Sequence, residues 1–223
     1  MTWNNILLNA CFDKNMNDIT LAISNGANDF NNGLSTACYR GYIDIINLMI
    51  SNGATNFNDG LKIACSEGII DVVNLMIAKG ANNYNEGLRY ACHHNHIDIL
   101  QILISNGADD WNEGLLNACE YGRIDIATLM IDKGATNFNQ GLINAYEHNH
   151  INMINLLILK NKVIPEYCDN LKEEQLYLFY KNGVIPSSKY KSYFDVLKII
   201  DEEVVILCED LLIKDLSKIL ASY

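Results

Sequence analysis

A repeat with a fixed period of 27 residues constrains this chain more than any other feature. A Gly-Leu pair, an Ala-Cys pair, a Gly-Ala pair and an aromatic residue all return at this interval. The Gly-Leu pairs begin at Gly33, Gly60, Gly87, Gly114 and Gly141. A period in this range is typical of a solenoid, in which each unit buries its apolar face only against its neighbours. Because stacked units build an extended surface, the repeat predicts a binding protein rather than an enzyme.

Residues 57–83 show how one unit predicts a pair of helices. Asn58 is well suited to cap the first helix, because its side chain can accept hydrogen bonds from the amides of the first turn. Gly68 stands where that helix ends and can adopt the left-handed backbone of a C-terminal cap. A second helix is expected to begin near Asp71 and to end at Gly80. The unit is therefore predicted to be a helix, a turn, a second helix and a short loop.

In two of the units an asparagine replaces the glycine of the turn. The substitutes are Asn95 and Asn149. Asparagine is the next residue that tolerates a positive φ angle, so the geometry of the turn is predicted to survive.

The string from Gly33 to Ala54 resembles the core of the ankyrin repeat. It reads Gly-Leu-x-x-Ala-Cys-x-x-Gly-x-Ile-Asp-Ile-Ile-x-Leu-Met-Ile-x-x-Gly-Ala. In that family the first helix carries Leu-x-x-Ala-Ala and the second ends in Leu-Leu-x-x-Gly-Ala. The resemblance implies an all-α, ankyrin-like solenoid of six helix-turn-helix repeats over residues 1–161. Residues 162–223 are then predicted to form a C-terminal helical cap. The Asn-rich style of the units is similar to that of ankyrin proteins from giant viruses that infect amoebae.

The units are shorter than those of the ankyrin family, which usually run to 33 residues. The missing residues lie between the Gly-Ala pair and the next helix, where the family builds a projecting β-hairpin. Only Thr55 to Asp59 remain there in the second unit. The hairpin tips, which supply many partner contacts in the family, are therefore expected to be absent or reduced to a tight loop.

The acidic composition limits the classes of partner. The chain has 223 residues, a net charge of -11 and a pI near 4.8. Nucleic-acid binding gains most of its affinity from Lys and Arg on phosphates, so neither nucleic acid nor an anionic membrane is an expected partner. No apolar run is long enough to span a bilayer, and no basic region precedes an apolar block at the N-terminus. The sequence therefore predicts a soluble cytoplasmic protein.

Five cysteines occupy the same position of successive repeats. They are Cys11, Cys38, Cys65, Cys92 and Cys119. Packed helices lie roughly 8–10 Å apart, whereas a disulfide needs Cα atoms within about 7 Å. We therefore expect small buried hydrophobes in a reducing compartment rather than disulfides.

Residues that differ between otherwise matching units are those released from packing. In the ankyrin family, this part of the first helix lines a concave groove that contacts partner proteins. We call the following set the variable strip: Tyr39, Arg40, Ile63, Ser66, Glu67, Tyr90, His93, His94, Asn117, Glu120, Tyr121, Asn144, Glu147 and His148. Tyr and Arg often anchor interfaces, so the strip is the predicted site for a protein partner. The alternative is a solvent-facing strip without function.

The remaining patterns do not indicate chemistry. The histidines cluster as His93, His94, His96, His148 and His150, but zinc needs three or four ligands in fixed geometry. His96 and His150 fall where ankyrin repeats commonly place a structural histidine. The sequence shows neither a Gly-x-Ser-x-Gly motif nor a phosphate-binding glycine loop. No metal, cofactor or enzymatic activity is predicted.

The main prediction is a monomeric module that binds a partner protein. Two alternative functions remain open. Ile164-Pro165-Glu166 and the apolar residues that follow are similar to the start of the F-box-like segment of poxvirus ankyrin proteins. That resemblance implies a substrate adaptor for a ubiquitin ligase, acting through residues 163–223. The other alternative is a structural or self-assembling viral protein. If the chain is viral, the expected location is the host cytoplasm or the virion.

Overall fold

The computed structural model describes residues 2–162, 164, 168, 171–192, 194–195 and 197–198. Two compact units divide the chain, Met1–Asn137 (unit 1) and Phe138–Tyr223 (unit 2). Every regular element of the described residues is helical, which confirms the predicted all-α class. None of the described helices is both long and apolar enough to cross a bilayer.

Unit 1 consists of five repeats, each a pair of helices joined by a tight turn. The first helices are α1 (Trp3–Asp13), α3 (Phe30–Arg40), α5 (Phe57–Glu67), α7 (Tyr84–His94) and α9 (Trp111–Glu120). The second helices are α2 (Met16–Ser24), α4 (Ile43–Ser51), α6 (Ile70–Ala78), α8 (Ile97–Ser105) and α10 (Ile124–Asp132). Each first helix packs against its own second helix, and α1, α3, α5 and α7 each pack against the first helix of the next repeat. The predicted stack of helix pairs is confirmed.

The core of unit 1 repeats with the sequence. In α5, Leu61, Ala64 and Cys65 are fully buried, as their spacing on one helical face predicts. The cysteines of all five repeats are buried, and none of them forms a disulfide. Burial raises the pKa of the Cys38 thiol to about 12. The expectation that these residues act as small hydrophobes is confirmed.

The glycine of the Gly-Leu pair allows close packing inside the first helix. A Cβ atom on Gly60 would lie 2.6 Å from Met76 Sδ and 3.1 Å from Cys38 Sγ. Because Gly60 has no side chain, α5 can pack closely against both α6 and the preceding first helix, α3. This contact offsets the low helix propensity of glycine, about 1 kcal/mol relative to alanine.

The asparagine at the second position of each first helix makes a different contact from the predicted one. Helix α5 begins at Phe57, so Asn58 lies inside the first turn. Its Oδ1 accepts hydrogen bonds from the backbone N–H groups of Asn82 at 2.7 Å and Asn83 at 3.1 Å. The predicted N-cap role of Asn58 is wrong, because its hydrogen bonds go to the next repeat.

The same pair of hydrogen bonds occurs at every repeat of unit 1, and we call it the asparagine clamp. The clamp residues are Asn4, Asn31, Asn58, Asn85 and Asn112. Each one holds the loop that leads into the next first helix. Between Ala54 and Phe57 that loop is reduced to Thr55 and Asn56 and contains no strand. The aromatic that follows, Phe57, is half-buried as the first residue of α5.

The turns within the repeats adopt the left-handed backbone predicted for them. The φ angles are 72° at Gly41, 76° at Gly68 and 66° at Asn95, and Asn149 in unit 2 has 57°. Gly68 is also packed from outside, because a Cβ atom there would lie 2.5 Å from the His96 ring. Positive φ makes glycine or asparagine the preferred residue at this turn, and the close packing of His96 then favours glycine, which has no Cβ.

Unit 2 begins with a sixth helix pair. Its helices are α11 (Phe138–Glu147), α12 (Ile151–Asn161) and α13 (Glu173–Lys181), followed by a 3-10 turn at Ser188–Tyr190. α11 packs against α12, and α12 contacts α13. The backbone N–H of Ile164 donates to Ile185 O at 2.9 Å, and that of Ile185 donates to Lys162 O at 2.7 Å.

In the segment predicted to form the helical cap, residues 162–223, the structure describes α13 and the turn at Ser188–Tyr190, whereas residues 199–223 lie outside the described residues. The boundary predicted between residues 161 and 162 stays a prediction.

Candidate functional site

In unit 1 the members of the variable strip flank the buried Ala-Cys pairs of the first helices: Ile63, Tyr90 and Asn117 precede a pair, and the others follow one. Because Ala and Cys face the core, the next residues of the helix turn outward, which is why they vary. In unit 1 the exposed members are Tyr39, Arg40, Glu67 and His94. The half-buried members are Ile63, Ser66, Tyr90, His93, Asn117, Glu120 and Tyr121. All eleven lie on, or directly after, the directly packed first helices α3, α5, α7 and α9.

One end of the strip is built from aromatic rings and a cation. The guanidinium carbon of Arg40 lies 4.7 Å from the centre of the Phe12 ring and 5.6 Å from that of Tyr42. Arg40 also donates a hydrogen bond to Tyr42 Oη at 3.2 Å. These contacts span two repeats and hold the guanidinium group in place through cation–π attraction. We call Phe12, Tyr39, Arg40 and Tyr42 the arginine–aromatic cluster.

The arginine–aromatic cluster is accessible and its charge is not neutralised. Phe12 is 45% exposed and Tyr39 is 49% exposed. Within the described residues, no carboxylate lies within ion-pair distance of Arg40. A guanidinium that is already oriented offers several donors to a partner carboxylate or carbonyl at a low cost in entropy. Sequence reasoning missed Tyr42, because this residue follows the turn and contacts Arg40 only once the turn has formed.

The middle of the strip links three repeats through histidines. The His93 ring stacks on Tyr121 with ring centres 4.0 Å apart. His94 Nε2 lies 3.1 Å from Ser66 Oγ. Partial desolvation, followed by the charges of His93 and His96, lowers the pKa of His94 below its ordinary value. The lowered pKa favours the neutral form of His94, whose imidazole then offers a partner hydrogen-bonding nitrogens.

His96 does not belong to the exposed strip. Its Nε2 lies 3.0 Å from the carbonyl oxygen of Ser66, and its ring packs on Gly68. These contacts agree with the structural role that the resemblance implies. Within the described residues, no group of three or more His, Cys, Asp or Glu side chains could hold a metal ion.

The far end of the strip in unit 1 is polar. Asn117 donates from Nδ2 to the backbone oxygen of Glu113 at 2.9 Å. A hydrogen bond to Glu120 raises the pKa of the Tyr121 hydroxyl, and desolvation adds to the effect. Tyr121 therefore keeps its proton over the whole neutral range and can still offer its ring to a partner.

Three members of the variable strip lie in unit 2, on or directly after α11. They are Asn144, Glu147 and His148. His148 Nδ1 lies 2.9 Å from the backbone oxygen of Asn144. Its ring is parallel to that of His150, with ring centres 6.1 Å apart. Glu147 and His148 are exposed, as the periodic pattern predicts.

Comparison with known proteins agrees with this architecture. Residues 34–114 match the family model for ankyrin repeats, in three copies. The matched segment runs from Leu34 in α3 to Gly114 in α9. No curated protein matches the chain. Ankyrin repeats are generally protein–protein interaction modules, and the family is typically non-catalytic.

Proposed function

We propose that this chain is a non-catalytic module that binds a partner protein through the variable strip, with the arginine–aromatic cluster as its anchor. The observation that carries this proposal is Arg40, an exposed and oriented cation between two aromatic rings. Tyr and Arg are enriched among the residues that dominate binding energies. By the ankyrin resemblance, the strip lines the concave groove that contacts partners.

Exposed aromatic surface supports the same proposal. Phe12 and Tyr39 each leave nearly half of the side chain in water, although both stand next to a buried Ala-Cys pair. Burial of apolar surface contributes about 25 cal/mol per Å². A partner that covers these two rings gains this energy and meets a guanidinium at the same place. A strip without function has no need of these residues.

The partner is proposed to be a host protein, on the resemblance to the ankyrin proteins of giant viruses. The buried, protonated thiols of unit 1 suit a reducing compartment such as the cytoplasm. A monomeric chain would leave the whole strip available to the partner. The ubiquitin-ligase adaptor depends on residues 163–223, most of which lie outside the described residues, and the strip is the better supported site.

Quantitative affinity capture from host-cell lysate tests this proposal. The test variant combines Tyr39→Ala, Arg40→Ala, Tyr90→Ala and Tyr121→Ala. The matched control combines Asn47→Ala, Asn74→Ala and Gln101→Ala, which are exposed positions of the second helices. We expect a protein that the wild type and the control capture and the test variant does not, with unchanged circular dichroism for all three chains. Equal capture by the test variant and the control would overturn the proposal.

A further inference from the structure

The arginine–aromatic cluster restricts which group of a partner can bind there, provided that the variable strip is the binding site as proposed above. Two cations lie near one ring of the cluster. The guanidinium carbon of Arg40 lies 5.6 Å from the centre of the Tyr42 ring, and Lys14 Nζ lies 4.9 Å from the same centre. Lys14 already pairs with Asp44, with 3.5 Å between Nζ and Oδ2. Of the two cations, Arg40 is therefore the one whose charge is left for a partner.

The neighbouring repeats carry carboxylates at the position of Arg40. One period before it stands Asp13 and one period after it stands Glu67, and both are exposed. Within the described residues, neither forms an ion pair with Arg40. The guanidinium instead packs on the Phe12 ring and donates a hydrogen bond to Tyr42 Oη. Because Asp13 and Glu67 repel further anions, the surroundings of Arg40 favour one carboxylate rather than a run of them.

Contact with the rings also removes water from the cation. The guanidinium carbon of Arg40 lies 4.7 Å from the centre of the Phe12 ring, so a partner that covers this ring also desolvates the charge. A desolvated charge that gains no partner destabilises the complex. A purely apolar surface leaves that cost in place, and a cationic surface adds repulsion. A carboxylate offsets it, because its two oxygens match the donors of the planar guanidinium.

The exposed rings require an apolar group next to that carboxylate. Phe12 and Tyr39 each leave nearly half of the side chain in water. Covering them stabilises a complex only if the covering group is itself apolar. A carboxylate cannot fill this role, since it is directed at Arg40 and has to keep its own hydrogen bonds. The cluster therefore suits two neighbouring side chains of a partner, one acidic and one apolar.

We propose that the arginine–aromatic cluster binds a segment of the partner protein in which a single Asp or Glu stands beside a large apolar residue. The carboxylate accepts hydrogen bonds from the Arg40 guanidinium, and the apolar side chain covers Phe12 and Tyr39. Lys14 stays paired with Asp44. The segment is otherwise poor in acidic residues, although the site itself recognises an acid.

Selection from a random peptide library tests the proposal, with the full chain as the immobilised target. The targets are the wild type, Arg40→Gln, the four-alanine variant of the capture experiment and Lys79→Gln. The last is the control, since it removes an exposed cation at the end of α6. Each selected peptide is then synthesised beside an analogue with Gln for Glu or Asn for Asp, and fluorescence anisotropy gives both Kd values. Thermal unfolding followed by circular dichroism shows that each variant is folded.

We expect the wild type to select peptides in which one acidic residue stands next to a large apolar one. The change from acid to amide should weaken binding about tenfold on the wild type and on Lys79→Gln. On Arg40→Gln the same change should have little effect, because the charge pair is already absent.

The possible failures separate this proposal from the proposed function. Peptides that need the strip but bind equally well as amides would overturn the acidic partner and leave the strip as the binding site. Selection of runs of acidic residues would also overturn it. If the four-alanine variant selected the same peptides as the wild type, or the wild type selected none, both proposals would fail.

Discussion

At the scale of single residues, the asparagine clamp shows what the sequence could predict and what it could not. The period marks Asn58 and its equivalents as structurally required, and their place at a helix start suggested capping. Helix α5 begins at Phe57, one residue before Asn58. The two backbone N–H groups that donate to Asn58 Oδ1 lie in the next repeat, at Asn82 and Asn83. A contact to a residue 24 positions away requires knowledge of how the repeats stack, which a local pattern does not contain.

The clamp leads to a prediction about stability. Asn58→Ala removes the two hydrogen bonds that Oδ1 accepts from exposed loop amides and the one that Nδ2 donates to Asn82 Oδ1 at 3.3 Å, and water can replace part of each bond. We expect the free energy of unfolding to fall by about 1–2 kcal/mol. Asn58→Asp keeps the accepting oxygen and should cost less than Asn58→Ala. Urea denaturation measures both, with the exposed Asn74→Ala as a control. If Asn58→Ala and Asn74→Ala shifted the midpoint equally, the clamp would have no role in stability.

At the scale of the elements, the sequence predicted the backbone conformation of the turn between paired helices. It did not predict which side chains pack on that turn. The sequence indicated that asparagine can replace glycine there, and Asn95 confirms it with a φ of 66°. The residue that covers each turn comes from the next repeat, and it differs between repeats. His96 covers Gly68, whereas Ile69 covers Gly41 at 3.4 Å from a Cβ position. The same substitution should therefore have different effects at the two turns.

Gly41→Asn and Gly68→Asn form a matched pair that tests this difference. Asparagine adopts the required φ at either turn, so backbone strain is similar. At Gly68 the new Cβ would lie 2.5 Å from the His96 ring, and that ring must move. We expect Gly68→Asn to cost about 1–3 kcal/mol and Gly41→Asn less than about 1 kcal/mol in thermal or urea unfolding. Adding His96→Ala should reduce the cost at Gly68. Equal costs at both turns would mean that the covering side chain does not matter.

At the scale of the whole molecule, the repeat predicted the helix pairs and the position of the variable strip because both follow from the period. It did not predict the contacts within the strip. Arg40 meets Phe12 and Tyr42 across two repeats, and His93 stacks on Tyr121 across two others. These pairs join positions that vary from unit to unit, so no periodic pattern contains them. Unit 1 therefore combines a uniform core with a surface that is different at each repeat.

The uniform core gives unit 1 a collective response to alkaline pH. Burial raises the pKa of the thiols to about 11 at Cys11 and to about 12 at Cys38, Cys65, Cys92 and Cys119. An unfolded cysteine loses its proton near pH 8.5. Above about pH 8.5 the unfolded chain therefore binds fewer protons than the folded chain, and the free energy of unfolding falls as the pH rises.

Each thiol should remove up to about 1.4 kcal/mol of stability per pH unit between about pH 9 and its folded pKa. Urea unfolding at about pH 8, 9 and 10, with reductant present, measures the combined slope. Tyrosines and lysines also lose protons as the pH rises, so the wild-type slope alone does not identify the thiols. Cys65→Ala removes one buried thiol and leaves every tyrosine and lysine in place, so its slope should be shallower by about one fifth of the combined contribution of the five thiols of unit 1. If Cys65→Ala had the same slope as the wild type, the loss of stability at alkaline pH would come from the tyrosines and lysines. The buried thiols would then make no contribution to it.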